Sequence, residues 1–528
     1  MDMNSGLELS RRKLLLAAGL GGAAMMVSGT ETSAATMGAA ASAAEHITGE
    51  PVSGLHLQFG QDATSEIIVS WHTLAPVNNA HVLLGLMDGN LKQTVKAESV
   101  SYVDAKANQT VYAHHAKVHG LKAATEYLYA ALHDGATPTF GSFTTAPKGR
   151  VPFTFTSFGD QGTPTMGKMI TAIGDTKLPN PMFVNDNLGS PAAGDSVLGV
   201  EHVRPLFHLL NGDLCYANIA EDRVRTWWDF WENNTRSARY RPWMPAAGNH
   251  ENEKGNGPIG YKAYQTYFSL PTVEGQTDVT KGLWYAFTVG SVRVISLAND
   301  DICYQDGGNT YVRGYSNGAQ KAWLEKELSA TRANKSIDWV VVCMHQVAIS
   351  TADKFNGADL AIREEWLPLF DKYNVDLVVC GHEHHYERSH PIRGQQSNKT
   401  LTPIPADKTT EVIDTTKGTV HMVIGGGGTS VPSNQLFYNP PQCRVITGVE
   451  AMDPKTNKRP PIYVLEDAPW SAVRNAAHAY GFAAFTVDPG QKKGDMTTIE
   501  VTYYDVMGPN GQLMSFEKFK LQRPRSDA

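Results

Sequence analysis

Cysteine is scarce in this chain of 528 residues: five in all, at Cys215, Cys303, Cys343, Cys380 and Cys443. The number is odd and no CxxC pair occurs, so neither a disulfide framework nor a zinc ribbon is indicated. Cys343 and Cys380 sit inside apolar runs and read as small buried hydrophobes. Apolar runs long enough to span a bilayer are missing beyond residue 43. Positive charge is also in short supply: 46 Lys+Arg against 53 Asp+Glu leave −7. That balance argues against broad nucleic-acid binding or docking on anionic membranes as the main task. No internal repeat or low-complexity tract follows the first 43 residues. What remains is ordinary globular material, 41% hydrophobic and 19% charged. At about 150 residues per domain it suffices for two to four domains.

Residues 1–43 read as an address. Ser10-Arg11-Arg12-Lys13-Leu14-Leu15 precedes an Ala- and Gly-rich apolar stretch from Leu14 to Val27, and Ala41-Ser42-Ala43 offers the small residues of a cleavage site. The pattern resembles a twin-arginine export signal. That route carries folded proteins, which suits a chain that acquires a metal before export, and it implies a periplasmic or secreted location. After export, Cys303 and Cys443 are the two thiols that could pair.

Residues 51–147 read as short strands. Leu55, Leu57 and Phe59 alternate, Ile67–Trp71 forms a second run, and His114–Val118 and Tyr127–Leu132 give two more. Leu121-Lys-Ala-Ala-Thr125-Glu-Tyr127 resembles the tyrosine corner of fibronectin type III and immunoglobulin-like sandwiches. His114, His115 and His119 read as solvated or packed strand residues. From Val151 the pattern changes to strands alternating with helices. The apolar runs are Phe153–Phe158, Phe207–Leu210, Trp339–Cys343 and Val375–Cys380, with a hairpin at Trp284–Leu297. Helical stretches fall at Glu221–Arg239, Gly318–Asn334 and Leu360–Tyr373. Trp227, Trp228 and Trp231 share a face of the first and read as core. Three C-terminal runs, Phe482–Val487, Ile499–Tyr504 and Phe516–Leu521, suggest a second sheet.

Polar groups follow the C-terminal ends of these strands: Asp160-Gln161-Gly162, then Asn211-Gly212-Asp213-Leu214-Cys215-Tyr216, Gly248-Asn249-His250-Glu251, His345, and Gly381-His382-Glu383-His384. Open α/β sheets place their sites there. His382 and His384 are two apart, so an extended backbone points both to one side. Asp, Asn, Tyr and His are hard to borderline donors, suited to iron, zinc or manganese. Together they match a binuclear site, whose two metals can clamp a phosphate and supply the attacking hydroxide.

In this order the motifs DxG, GDxxY, GNH(D/E), VxxH and GHxH resemble those of the purple acid phosphatases within the metallophosphoesterase superfamily. The resemblance takes in the preceding sandwich and His384-His385-Tyr386-Glu387-Arg388, and so spans most of residues 51–505. Gly162 and Tyr216 separate it from Ser/Thr protein phosphatases and cyclic-nucleotide diesterases. It implies a signal at 1–43, a fibronectin III-like domain at 51–147, and a four-layer αββα catalytic sandwich with C-terminal strands at 151–525. It also implies a ferric site of Asp160, Tyr216 and His384, and a divalent site (Zn, Fe or Mn) of Asn249, His345 and His382, with Asp213 bridging. Fe(III) and a divalent ion against two carboxylates and a phenolate leave about +2, which attracts a phosphate ester despite the acidic chain. A ferric ion holds hydroxide at lower pH than zinc, whose water has a pKa of about 7; hence an acid optimum. His250 is placed to bind phosphate and assist the leaving group, with Glu251 orienting it or a ligand. After His345 the family's further histidines are missing, because Gln346–Asn356 contains none. His385, Lys354 and Asn356 are the candidate substitutes. The expected activity is an exported acid phosphatase acting on small phosphomonoesters. The alternatives are a phosphodiesterase or phospholipase on the same site, and a non-catalytic surface-binding protein.

Overall fold

The computed structural model describes residues 49–164, 168–173, 176–184, 188–306, 308, 310–506 and 512–528. The expected export signal at 1–43 lies outside the described residues. The first element is an all-β domain of two four-stranded antiparallel sheets. One runs Ser53–Phe59, Ile67–Thr73, Thr110–Val118, Glu98–Val103; the other runs Gln93–Lys96, His81–Leu86, Glu126–Leu132, Thr139–Thr144. Leu57, Val69, Trp71, Val82, Val111 and Tyr129 lie fully buried in its core. Tyr127 Oη accepts the Lys122 N–H at 2.9 Å, tying the corner before its strand. His114 and His115 are buried on Thr110–Val118. His119 stands outside, 3.2 Å from Glu66.

The catalytic region stacks two seven-stranded sheets. Phe153–Phe158 and Phe207–Leu210 run parallel. They sit in one sheet in the order Trp243–Pro245, Phe207–Leu210, Phe153–Phe158, Gly481–Asp488, Met496–Val506, Leu513–Pro524, Val412–Asp414. The C-terminal strands therefore extend the first sheet, where the sequence suggested a second one. Phe153–Phe158 has one edge left open by its parallel partner, and Gly481–Asp488 pairs along it antiparallel. Phe485 then stacks on Phe155 at 4.6 Å. The other sheet runs Tyr285–Val289, Val292–Ser296, Trp339–Cys343, Leu377–Cys380, Val420–Ile424, Tyr386–Ser389, Ser471–Arg474. The hairpin expected at Trp284–Leu297 forms its edge.

Helix Ala192–Val203 packs on Gly481–Asp488 and Met496–Val506 of the first sheet, with Arg223–Ala238 against it and against Ser53–Phe59 of the first domain, and Ala319–Ala333 is tied to the second sheet by Glu327, 2.7 Å from Arg293. The stretch expected as one helix at Leu360–Tyr373 is two, Leu360–Glu365 and Leu367–Lys372. Pro368 lacks the N–H of a continuous helix and its ring would strike the carbonyl one turn back. Helix Arg223–Ala238 begins on the Asp222 side chain, which accepts the Arg225 N–H at 2.9 Å. Its apolar face buries Trp227 and Trp231 completely, while Trp228 is half-buried and meets His72 edge-on. Trp231 also stacks on His56 of the first domain, ring centres 3.6 Å apart. His56 and His115 reach across to the Tyr267 and Thr266 carbonyls, 3.0 Å each. All five thiols are free and buried, so the pairing considered for Cys303 and Cys443 does not form. Cys443 lies against Arg363 and Cys303 against Asp359, each sulfur held in its own surroundings.

Candidate metal centre

The strand ends of the two sheets meet, and each turn that leaves them carries one or two candidate donors inward. Asp160, Asp213, Tyr216 and His382 all adopt left-handed backbone, with φ of 59°, 50°, 59° and 71°. For residues with a side chain that costs roughly 1–2 kcal/mol each, and it persists only where the surroundings over-determine it. Here they do: the Asp160 N–H donates to Gly212 O at 3.0 Å, and the Gln161 N–H to Asp213 O at 3.1 Å. Two motif glycines are required by space. A Cβ on Gly212, itself at φ 77°, would lie 2.7 Å from the His345 ring. One on Gly381 would lie 2.4 Å from Asp160 Oδ2.

Each carboxylate spends one oxygen on the backbone and turns the other inward. Asp160 Oδ2 accepts the His382 N–H at 2.8 Å, while Oδ1 lies 3.3 Å from both Tyr216 Oη and His384 Nε2. Tyr216 Oη is 3.1 Å from His384 Nε2. Asp213 Oδ1 accepts the His250 N–H at 2.8 Å, and Oδ2 lies 3.0 Å from His345 Nε2. That nitrogen is also 3.0 Å from Asn249 Oδ1 and 3.1 Å from His382 Nδ1. Donor atoms of Asp213, His345 and His382 all lie within 4.8 Å of one another. The imidazoles follow the same logic as the carboxylates. His345 Nδ1 bonds Asn211 O at 2.7 Å, His384 Nδ1 bonds Val431 O at 2.7 Å, and His382 Nε2 bonds Gln305 Oε1 at 2.7 Å. An outer acceptor that takes one N–H leaves the other nitrogen's lone pair facing in, which is how metal-binding histidines are oriented. Convergent lone pairs repel unless a cation joins them, so the donor set fits a metal pair.

The electrostatics tell the same story. Burial pushes the Tyr216 phenol well up, and Asp160 and Asp213 add to it. Burial opposes charge on His345, yet Asp213 carries it up to about 10. For Asp213, burial is outweighed by His345 and His250, which hold its carboxyl below the usual range. A bound cation inverts this pattern, releasing the imidazole and phenol protons.

His250 stands beside this group, Nε2 4.0 Å from Asp213 Oδ2 and its ring 4.6 Å from that of Tyr216. Its Nδ1 bonds Asn218 Oδ1 at 2.8 Å, and burial pushes its pKa down to about 4. Glu251 faces away from the donors. It accepts the N–H groups of Gly248 (2.7 Å), Asp213 (2.9 Å) and Leu214 (2.8 Å), stitching two ligand turns together. His385 is not brought to the cluster: Nδ1 bonds Ser433 Oγ at 2.8 Å, Nε2 faces Glu387 at 3.4 Å, and the ring packs on Phe437. The extended stretch expected at His382–His384 is a tight turn instead, in which the Glu383 and His385 N–H groups donate to Gly381 O and Glu383 O at 2.8 Å each, and His385 leaves it facing Ser433 and Phe437. A leaving-group role for His385 thus gives way to a packing role. Lys354 is exposed at φ 56°, and Asn356 holds the His382 carbonyl at 2.6 Å. Sequence reasoning missed Gln305, Asn211 and Asn218 as orienting groups. Single amides in loops carry no spacing signal; only Asn211 and Asn218, flanking GDxxY, could have been suspected from position.

Two mixed sheets with carboxylate, imidazole, amide and phenol donors at their joined ends define a metal-dependent phosphoesterase. Residues 52–145 match the model of the purple acid phosphatase N-terminal domain, and 170–386 that of the calcineurin-like phosphoesterases. An uncharacterized protein of Mycobacterium tuberculosis is 60% identical over 475 residues, covering 90% of this chain and 88% of that one. A purple acid phosphatase of Glycine max is 28% identical over 384 residues (71% and 72%). The Fe(3+)-Zn(2+) purple acid phosphatase 12 of Arabidopsis thaliana is 28% identical over 385 residues (71% and 72%). The fold is that of a purple acid phosphatase from yellow lupin seeds, with a TM-score of 0.61 at 19% identity over 90% of this chain and 75% of that one. The chain belongs to the purple acid phosphatase-like metallophosphoesterases, and is a phosphoesterase hydrolase with an N-terminal all-β domain. No described helix is long and apolar enough to cross a membrane.

Proposed function

We propose that the protein is an exported acid phosphatase that hydrolyses small phosphomonoesters at a binuclear centre of Fe(III) and a divalent ion. In this reading Asp160, Tyr216 and His384 hold the ferric ion, Asn249, His345 and His382 the divalent one, and Asp213 joins the two. The observation that carries the reading is the inward convergence of all seven side chains, with each carboxylate and imidazole fixed from behind. When bound, the metal pair supplies the positive charge that clamps the phosphate and lowers the pKa of the attacking water.

The chain's own residues do the rest. His250 keeps Nδ1 on Asn218, so Nε2 is the atom left to meet a phosphate oxygen or the leaving group. Glu251 fixes the Gly248–Asn249–His250 turn against the Asp213 turn, which sets where His250 stands over the donors. Buried walls keep bulk water from the donor atoms, whose side chains are all at least nine-tenths buried. The twin-arginine signal at 11–12 belongs to the same proposal, because it carries the metal-loaded, folded protein out. The test is turnover of phenyl phosphate by purified full-length protein. It is expected to disappear on chelation and to return with iron plus zinc. Equal turnover before and after chelation would overturn the reading.

A further inference from the structure

A hairpin that no motif foretold spans the mouth of the site. Gln442–Val449 and Pro461–Asp467 pair antiparallel, and Ala358–Asp359 joins them as a third strand. Its base is fixed by the fully buried Arg363, whose guanidinium meets Glu466 at 2.8 Å. Further along, Tyr463 Oη donates to Asn356 O at 3.0 Å, and Asn356 in turn holds the His382 carbonyl. The tip ties down on the opposite loop. The Arg459 N–H donates to Asp306 Oδ2 at 2.8 Å, and its guanidinium lies 3.6 Å from Asp306 Oδ1. Lys458 donates to Gly308 O. Gly308 is itself pressed on the centre: a Cβ there would come within 2.0 Å of the Asn249 carbonyl oxygen. Both anchor points therefore touch residues that carry the metal donors.

Lys458 is the cation this strap delivers. Its side chain is exposed, and among the described residues its ammonium is paired with a carbonyl and with no carboxylate. Arg459, by contrast, is neutralised by Asp306. An ammonium has three donors, so Lys458 keeps two for a ligand.

We propose that Lys458 selects the substrate by binding a carboxylate on the leaving group of a phosphomonoester whose phosphate lies at the metal centre. This rests on the phosphomonoesterase reading and names its substrate class. One cation with two free N–H donors balances a carboxylate. A second phosphate dianion would leave a charge uncompensated beside Asp306. Because the ammonium is held on the strap, outside the donors, it meets the leaving group and not the transferring phosphoryl.

The experiment compares kcat/KM for 4-carboxyphenyl phosphate and 4-carbamoylphenyl phosphate, a matched pair that differs in one charge, with the metal-loaded full chain. In Lys458→Met the ratio of carboxylate to carboxamide ester should fall about threefold to fivefold, the upper range for an exposed ion pair. Lys458→Arg should restore it. Lys455→Met, on the same tip, should leave the ratio where it is. An unchanged ratio in Lys458→Met overturns the inference, as does an equal fall for both esters, which would put the lysine on the transferring phosphate. If the wild type turns over neither ester, the phosphomonoesterase reading fails and the inference fails with it.

Discussion

The floor of the site and its rim are built by different means. On the floor the donors follow buried strands, and each carboxylate and imidazole has a partner behind it. Asp160, Asp213, Tyr216 and His382 even hold strained backbone there. The rim is assembled from loops and the 442–467 hairpin, held by a few polar contacts, with Lys354 and Lys458 exposed. Strain is tolerated where neighbours over-determine a conformation, so chemistry sits on the floor. Variation is tolerated where contacts are few, so selectivity belongs to the rim.

The comparison breaks most visibly if the floor can lose a donor cheaply. Asp213→Ala removes the carboxylate that faces His345 and that, in the proposed reading, joins the two metals. Metal content should fall, and turnover should drop by roughly 10³ or more, by comparison with the loss of one preorganised electrostatic group; metal analysis beside kinetics checks both. His250 lies between floor and rim. His250→Ala should keep its metal and lose about 10²–10⁴ in turnover through the missing proton-transfer and hydrogen-bonding group. Asn249→Ala should instead lower occupancy. Matching metal losses in the two variants would make His250 a ligand or a structural residue.

A third prediction concerns what lies under the floor. Burial pushes His56 down to about 4 and His72 to about 3, where the first domain meets the helix carrying Trp231. The unfolded chain binds these protons near pH 6.5 and the folded one does not. Stability is therefore full above pH 6.5 and falls as pH drops toward 4. The limit is about 3 kcal/mol for a residue shifted as far as His56. Thermal midpoints across that window should show the slope, and His56→Gln should reduce it. A flat wild-type profile would mean the histidines are not buried neutral at the interface. The smallest effect separates orienting groups from ligands: Gln305→Ala should weaken metal binding about 10- to 100-fold without abolishing it, as metal titration would measure.

Legibility in the sequence followed the same divide. The runs Phe153–Phe158, Phe207–Leu210 and Trp339–Cys343 are strands with those bounds; the last is unbroken apolar, as a strand buried on both faces is, and the first alternates Phe with Thr before Ser157. The candidate donors stood out because they follow strand runs. Pairing was not: Phe153–Phe158 takes Gly481–Asp488 as its neighbour, a partner more than 300 residues away that no local pattern encodes. The hairpin was missed because apolar Ile462 and Leu465 face solvent while the Glu466 carboxylate turns in to buried Arg363, so no polar–apolar alternation marks the strand. Gln305 was missed because an amide's role depends on the ring it faces across the fold. His385 was misplaced through its neighbours: it follows a ligand in sequence and points the other way.

The central claim, a ferric ion held by the Tyr216 phenolate beside a second metal, is tested most directly by metal analysis joined to the visible spectrum of the oxidised, iron-replete protein. Wild type should carry two ions per chain, one of them iron, and show a phenolate-to-iron charge-transfer band that Tyr216→Phe abolishes while the fold persists. A colourless wild type with iron bound, or a band that survives Tyr216→Phe, would contradict it.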